Sequence, residues 1–267
     1  MKLSSIFGLF TDLRFAIQVT TIPALKVIFR EPSLLLHPRE LSRLFMAKLW
    51  ERFGYFVDTN CRPSKEALIT PNAHGVVLDL GAGHGHTVNY LDHSRVSKYI
   101  ALEPNALMHE HIRKTANTAG YTEVAGSFAI LSCGAEDIPT IIRETGRHGV
   151  DTIVSVLTLC SVPDPALTIH NLVEEILRPG GNFLFYEHVR SPLKDVIWWQ
   201  NFWTPIWSTF FDGCVLGRDT VKYISDAGQW SLKDAVGKAD EDPENLFWHQ
   251  AGKYVKAADE EPQSVLI

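Results

Sequence analysis

The 267-residue chain reads as an α/β fold, a doubly wound, mostly parallel sheet with a helical extension at its N-terminus. Three observations predict this. In VVLDLGAGHGHTVNYL, Val76 to Leu91, a valine-rich strand runs into three alternating glycines and then an amphipathic segment. Strand-like and helix-like runs alternate from there to about residue 190, the order that builds a parallel sheet with helices on both faces. Finally, DTIVSVLTLCSV, from Asp151, is a near-continuous run with apolar residues at seven of twelve positions and no charge after the first, which fits a strand buried on both faces.

Composition supports one domain of generous size. Apolar residues make up 45% and charged residues 21%, enough to bury a sizeable core. The four cysteines, Cys61, Cys133, Cys160 and Cys214, stand far apart with no CxxC pair. That argues against a disulfide framework and a zinc ribbon, so no metal site is expected, and reduced thiols point to an intracellular compartment. The net charge of -6 is uneven: residues 1–57 hold eight Lys or Arg against four Asp or Glu, leaving -10 for the rest. An acidic body argues against nucleic acid as a partner. A basic, apolar N-terminus points to a membrane surface.

The first element is IFGLFTDLRFAIQVTTIPALKVIF, from Ile6 to Phe29. Asp12, Arg14 and Lys26 deny it the roughly 20 uncharged residues a spanning helix needs. Phe7, Phe10, Leu13 and Ile17, then Leu25 and Ile28, recur at helical spacing, with Pro23 expected to break the run. An amphipathic helix in the membrane interface fits residues 1–36, and a face packed on the protein's own body fits the same pattern. Leu41, Phe45, Leu49 and Phe53 then predict a second helix. DTNCRPSKEALITPNAHG, from Asp58, reads as a linker or lid. The units are therefore 1–57, a helical segment; 58–256, the α/β domain; and 257–267, a polar tail.

The glycine turn invites a nucleotide-like ligand. Gly81, Gly83 and Gly85 give Gly-x-Gly-x-Gly, with His86 where a dinucleotide fingerprint needs its third glycine. No Gly-Lys-Ser/Thr follows, which excludes a phosphate loop of the Walker type. Asp79 stands at the strand's end, able to meet a cationic group. The second strand, KYIALEP, ends in Glu103, 22 residues beyond Gly81, where an acid takes ribose hydroxyls in doubly wound folds. FAILSCGAEDIP supplies a third strand and loop, DTIVSVLTLCSV a fourth strand, PALTIHNLVEEIL a helix and RPGGNFLFYEHV a fifth strand.

Together LDLGAGHG, ALEP, CGAEDIP and ILRPGGNFLFYEHV resemble the class I S-adenosylmethionine-dependent methyltransferases over roughly residues 70–190. LTLCSV, YEHV and FDGC are similar to the membrane-associated thiol S-methyltransferases of the methyltransferase-like group, of which this chain would be a diverged relative from secondary metabolism. The resemblance implies a Rossmann-like sheet and S-adenosyl-L-methionine as cofactor. It places Gly81, Gly83 and Gly85 around the methionine portion, Asp79 at its amino group and Glu103 on the ribose. Ala135 and Glu136 would border the adenine, and the backbone at Leu157 and Thr158 would close the pocket. It departs at Gly134, where many relatives carry an acid.

Methyl transfer needs an aligned nucleophile and often a base. LTLCSVPDP lacks the Asn/Asp-Pro-Pro-Tyr/Phe of amino-group methylases, and no magnesium set of the catechol type stands out. Candidate bases are His188, Glu187 (either as base or as holder of His188) and Asp212. Trp198, Trp199, Phe202, Trp203, Trp207, Phe210 and Phe211 crowd fourteen residues, and at least two of them are expected to wall an apolar small-molecule substrate. The reading is methylation of a thiol or hydroxyl, by a cytoplasmic protein or one attached peripherally to the cytoplasmic face of an internal membrane. Two other readings stand beside it: a non-methylating step such as a cyclisation, and a catalytically silent regulator.

Overall fold

The computed structural model describes residues 3–146 and 148–258, with side chains from Gly8 onward. The side chain of Phe7 and the tail from residue 259 therefore lie outside what is described.

The first helix, α1 (Leu3–Arg30), runs through Pro23 without a break. Pro23 removes one backbone hydrogen bond, but its turn is braced from both sides. Thr20 Oγ1 donates to the Ala16 carbonyl at 2.7 Å, and Ala24 is fully buried. The second helix, α2 (Pro38–Leu68), is longer than expected and continues through the boundary drawn at 57/58. The stretch read as a linker or lid is helical as far as Leu68 because Asp58, Cys61, Lys65 and Leu68 sit on one buried face. Burial overrides the local signal of Pro63.

Seven strands follow: β1 (Gly75–Leu80), β2 (Val96–Leu102), β3 (Phe128–Leu131), β4 (Val150–Val156), β5 (Leu177–Val189), β6 (Trp230–Gly237) and β7 (Trp248–Lys256). Their order is β3-β2-β1-β4-β5-β7-β6. The first five are parallel, and β7 lies antiparallel between β5 and β6. The last two strands carry only weak alternation, and β6 is an exposed edge bearing Lys233 and Asp234, a charged edge that discourages further pairing. The order reverses between β1 and β4, where a doubly wound sheet opens a crevice at its carboxyl edge.

Alternate residues serve alternate faces. Leu78, Leu80, Ile100 and Leu102 pack with Ile138 and Ile141 of α4 (Ile138–Thr145) and Ile169 of α5 (Pro165–Asn171). Val77, Tyr99 and Ala101 pack with Cys61 and Leu68 of α2 and Ile112 of α3 (His109–Thr118). The helix expected after the glycines is a single 3₁₀ turn, His86–Tyr90. Only ten residues separate Gly85 from β2, and the second half of α2 covers that face instead. Helices α6 (Lys194–Phe210) and α7 (Thr220–Asp226) lie between β5 and β6.

Candidate active site

At the carboxyl edge of β1, β2 and β4 lies a cleft of about 570 Å³. Its floor is the glycine turn. Gly81 and Gly83 have φ of +59° and +57°, a region costly for any residue with a Cβ. A Cβ on Gly81 would stand 2.5 Å from Thr158 Cγ2, and one on Gly83 would stand 2.8 Å from Trp50 Nε1. The turn therefore offers bare backbone.

Asp79 lies behind the turn. Thr87 Oγ1 donates to its Oδ1 at 3.1 Å and Tyr99 Oη to its Oδ2 at 2.8 Å. Burial pushes its carboxyl up to about 7, against the pull of those two bonds. It lines a smaller pocket beside the cleft, with Asp58, Lys65, His86 and Trp50. Glu103, first residue past β2, sits in the cleft itself. Gly83 N–H donates to its Oε2 at 2.9 Å and Asn105 N–H to its Oε1 at 2.8 Å. Burial again wins, raising it to about 7.

Gly134, Ala135 and Glu136 form one wall. The Glu136 carboxylate fills the space a side chain on Gly134 would take. Leu157 and Thr158 form the opposite wall, with Leu157 in the left-handed region at φ +54°. Thr158 Oγ1 donates to the Leu80 carbonyl at 2.9 Å, tying this turn to β1.

The three proposed bases separate. Glu187 is fully buried and its Oε1 accepts from Ser155 Oγ at 2.7 Å, Thr158 N–H at 3.0 Å and Leu159 N–H at 3.3 Å. It fastens the turn after β4 and has no place in the cleft lining. His188 faces elsewhere, its Nε2 lying 3.3 Å from Cys214 Sγ, and is also absent from the lining. Successive strand residues point to opposite faces, and neither of these two points at the crevice. Asp212 alone lines it, at φ +47° with its pKa raised by burial and opposed by the Arg43 charge.

The aromatic wall is likewise corrected. None of the seven aromatics in 198–211 lines the cleft; that segment contributes Ser208 and Thr209. Trp199, Trp203, Trp207, Phe210 and Phe211 pack in a core with Leu9 and Leu13 of α1, while Trp198 and Phe202 are exposed. Five rings at helical spacing fill one buried side, and the other two face outward.

Sequence reasoning missed the first half of α2. Ser42, Met46 and Trp50 line the cleft at four-residue steps, with Arg39 and Arg43 beside them. The chosen apolar stripe, one position earlier, packs on the other helices: Phe53 meets Phe15, and Phe45 meets Phe210. Asn105 Nδ2 donates to the Arg43 carbonyl at 2.9 Å and Ser42 Oγ to the Thr209 carbonyl at 3.1 Å. These two bonds pin α2 across the crevice. The polar residues between the apolar ones were the available signal.

The residues fit a cofactor with amino acid and nucleoside ends. Trp50 Nε1 and His86 Nε2 are buried with no partner among the described residues, and both line the pocket beneath the glycine turn. Unpaired buried polar atoms are costly, and a bound carboxylate would relieve them.

A family model described as a methyltransferase domain matches residues 53–221, and the chain belongs to that family. It is a methyltransferase whose cofactor is S-adenosylmethionine. Human thiol S-methyltransferase TMT1B is 27% identical over 180 residues, 67% of this chain and 68% of that one. Among solved structures, an O-methyltransferase family protein from Burkholderia thailandensis superposes with a TM-score of 0.54 at 13% identity, over 83% of this chain and 60% of that one. The cyclase SpnF superposes equally well, 0.54 at 11% identity, over 75% of this chain and 81% of that one. These two likenesses concern the fold alone.

Proposed function

We propose that the protein transfers a methyl group from S-adenosylmethionine to the thiol of an apolar small molecule. The observation that carries this is the lining of the cleft's acceptor side. Beyond the guanidinium groups of Arg39 and Arg43 it presents one carboxylate, Asp212, among Ser161, Ser208, Thr209, Val162 and Pro163, and the lining holds no imidazole, amine or thiol among the described residues. A thiol, with a pKa near 8.5, is already a few per cent ionised at neutral pH. One carboxylate is help enough for it, whereas a hydroxyl would need a stronger base. The likeness to TMT1B, a thiol S-methyltransferase by name, supports the same choice.

When bound, the cofactor supplies an electrophilic methyl on a sulfonium. The chain's own groups do the rest. Gly81 and Gly83 leave room for close backbone approach, with Gly85 completing the turn. Glu103 keeps free lone pairs for ribose hydroxyls, Asp79 meets the amino group, and Trp50 N–H and His86 are placed for the carboxylate. Ala135 and Glu136 border the base, and Leu157 and Thr158 close the far side. Asp212 takes the thiol proton. Three carboxylates, Glu103, Glu136 and Asp212, face two guanidinium groups, Arg39 and Arg43, in one cleft, a balance that favours a cationic ligand.

The same reading places the protein on a membrane surface, on the cytoplasmic face of an internal membrane. Among the described residues no helix is long and apolar enough to cross. Yet α1, which buries Leu9, Leu13, Ala16, Thr20 and Ala24, also exposes Phe10, Ile17, Ile22, Leu25 and Phe29. Its own core uses only part of its apolar surface. Trp198, Phe202 and Ile206 form a similar exposed stripe on α6, with Trp a residue suited to the interface. The test is incubation with S-adenosylmethionine and a mixed panel of thiols, phenols and carboxylic acids. S-methyl products with matching S-adenosylhomocysteine are expected, and O-methyl products alone would overturn the thiol assignment.

A further inference from the structure

The sequence keeps the cysteines apart, but the fold brings two of them to one histidine. Cys160 lies in the turn after β4, Cys214 in the loop after α6 and His188 near the end of β5. All three are buried, at 3%, 7% and 4% exposure, and one ligating atom from each lies within 4.8 Å of the others. Cys214 Sγ stands 3.3 Å from His188 Nε2. A tetrahedral zinc ion, with bonds of about 2.3 Å to sulfur and 2.0–2.1 Å to nitrogen, sets its ligand atoms roughly 3.5–3.8 Å apart.

Three further features suit an ion. Val215 N–H donates to the Cys160 carbonyl at 3.0 Å, holding the two cysteine loops side by side. His188 Nδ1 is buried with no partner among the described residues, which leaves the contact from Nε2 to Cys214 as the ring's hydrogen bond. Arg218, bonded to the Leu159 carbonyl at 2.8 Å, carries a charge coupled to both sulfurs, which favours the thiolates an ion needs.

We propose that Cys160, Cys214 and His188 form a buried zinc site that clamps the turn after β4 to the loop carrying Asp212. On binding, two S–H bonds break, two Zn–S bonds form and both protons leave to solvent, while a neutral His188 donates a nitrogen lone pair. The ion with two thiolates carries no net charge, so it needs no counter-ion in the interior. Three protein ligands leave a fourth position for an outside donor such as water. The clamp joins Thr158 and Ser161 on one cleft wall to Asp212 and Gly213 on the next. It stands whether or not the methyl acceptor is a thiol.

The test uses the full-length reduced protein, titrated with zinc against a chromogenic chelator and, separately, with cobalt. About one zinc per chain is expected, together with a cobalt spectrum showing thiolate charge transfer and tetrahedral d–d bands. Cys160→Ser and Cys214→Ser should each weaken zinc by about 100-fold or more, beyond what outer-shell partners contribute, while Cys61→Ser and Cys133→Ser leave it unchanged. Should the serine variants unfold, the wild-type cobalt spectrum decides. A folded wild type that takes up no stoichiometric zinc and gives an octahedral cobalt spectrum overturns the site. So does undiminished binding in the Cys160→Ser/Cys214→Ser double variant, or a Cys160–Cys214 disulfide in metal-free protein.

Discussion

The two halves of the cleft are built in different ways. The half proposed for the cofactor is made at the ends of adjacent parallel strands, where Leu80 pairs with Leu102 and with Ser155. Gly81 and Glu103 follow their strand ends directly and Thr158 lies two residues past the end of β4, so sheet register delivers them to one place. The half proposed for the acceptor has no such scaffold. Ser42 and Met46 arrive on α2, and Ser208, Thr209 and Asp212 on α6 and its exit loop, held by single side-chain bonds such as Ser42 to Thr209. The first half is fixed by the sheet and the second by helix packing. Binding and turnover should therefore respond to different residues.

The largest separation is expected at Asp212. Asp212→Asn should lower kcat by roughly 10²–10⁴-fold if the carboxylate takes the proton, with cofactor affinity nearly unchanged. Asparagine tolerates the left-handed backbone, so the fold is spared. Parallel loss of cofactor binding, measured by calorimetry, would erase the distinction between the halves.

Gly81→Ala should act on the other side. A positive φ and a Cβ against Thr158 cost about 2–5 kcal/mol of stability together, and a turn that shifts to relieve them should bind cofactor more weakly. Binding within a few-fold of wild type would mean that the turn is not the cofactor's floor.

Glu103→Gln should weaken the cofactor by about tenfold, through loss of a charge-assisted hydrogen bond, and should also change the pH profile. Because burial raises Glu103 to about 7, wild-type affinity should climb from pH 6 to 8 as the carboxylate ionises. The glutamine variant should be flatter. The sign for stability is opposite. Asp79 and Glu103, both raised to about 7, contribute stability below their unfolded pKa near 4, and that contribution is lost as pH rises through 7. The melting temperature of the cofactor-free protein should fall over that interval.

The smallest effect concerns the outer surface. Phe29, 82% exposed, can be changed to Ser with little harm to the fold. Full burial of such a side chain contributes about 1.5–3 kcal/mol, so partial insertion predicts a several-fold loss in sedimentation with anionic liposomes. Equal sedimentation of the variant would remove α1 from the membrane contact.

The sequence disclosed what backbone periodicity and short motifs encode. Five strands, the glycine turn and Glu103 were all legible because each depends on neighbours in the chain. β6 and β7 escaped because an exposed edge strand and its partner keep little alternation. Pro23 and Pro63 misled because packing overrode a local breaker. His188 and Glu187 looked equivalent to Asp212 in sequence, and only the direction of each side chain at its strand or loop separates them. The pairing of Cys160 with Cys214, 54 positions apart, follows from the meeting of two loops and has no signature in spacing.

The most direct test of the two-halves account is a crystal structure of the full-length protein with S-adenosylhomocysteine. The account predicts the ribose hydroxyls on Glu103, the base beside Ala135 and Glu136, and the sulfur turned towards Asp212. A ligand bound outside this cleft, or a sulfur facing away from Asp212, would contradict it.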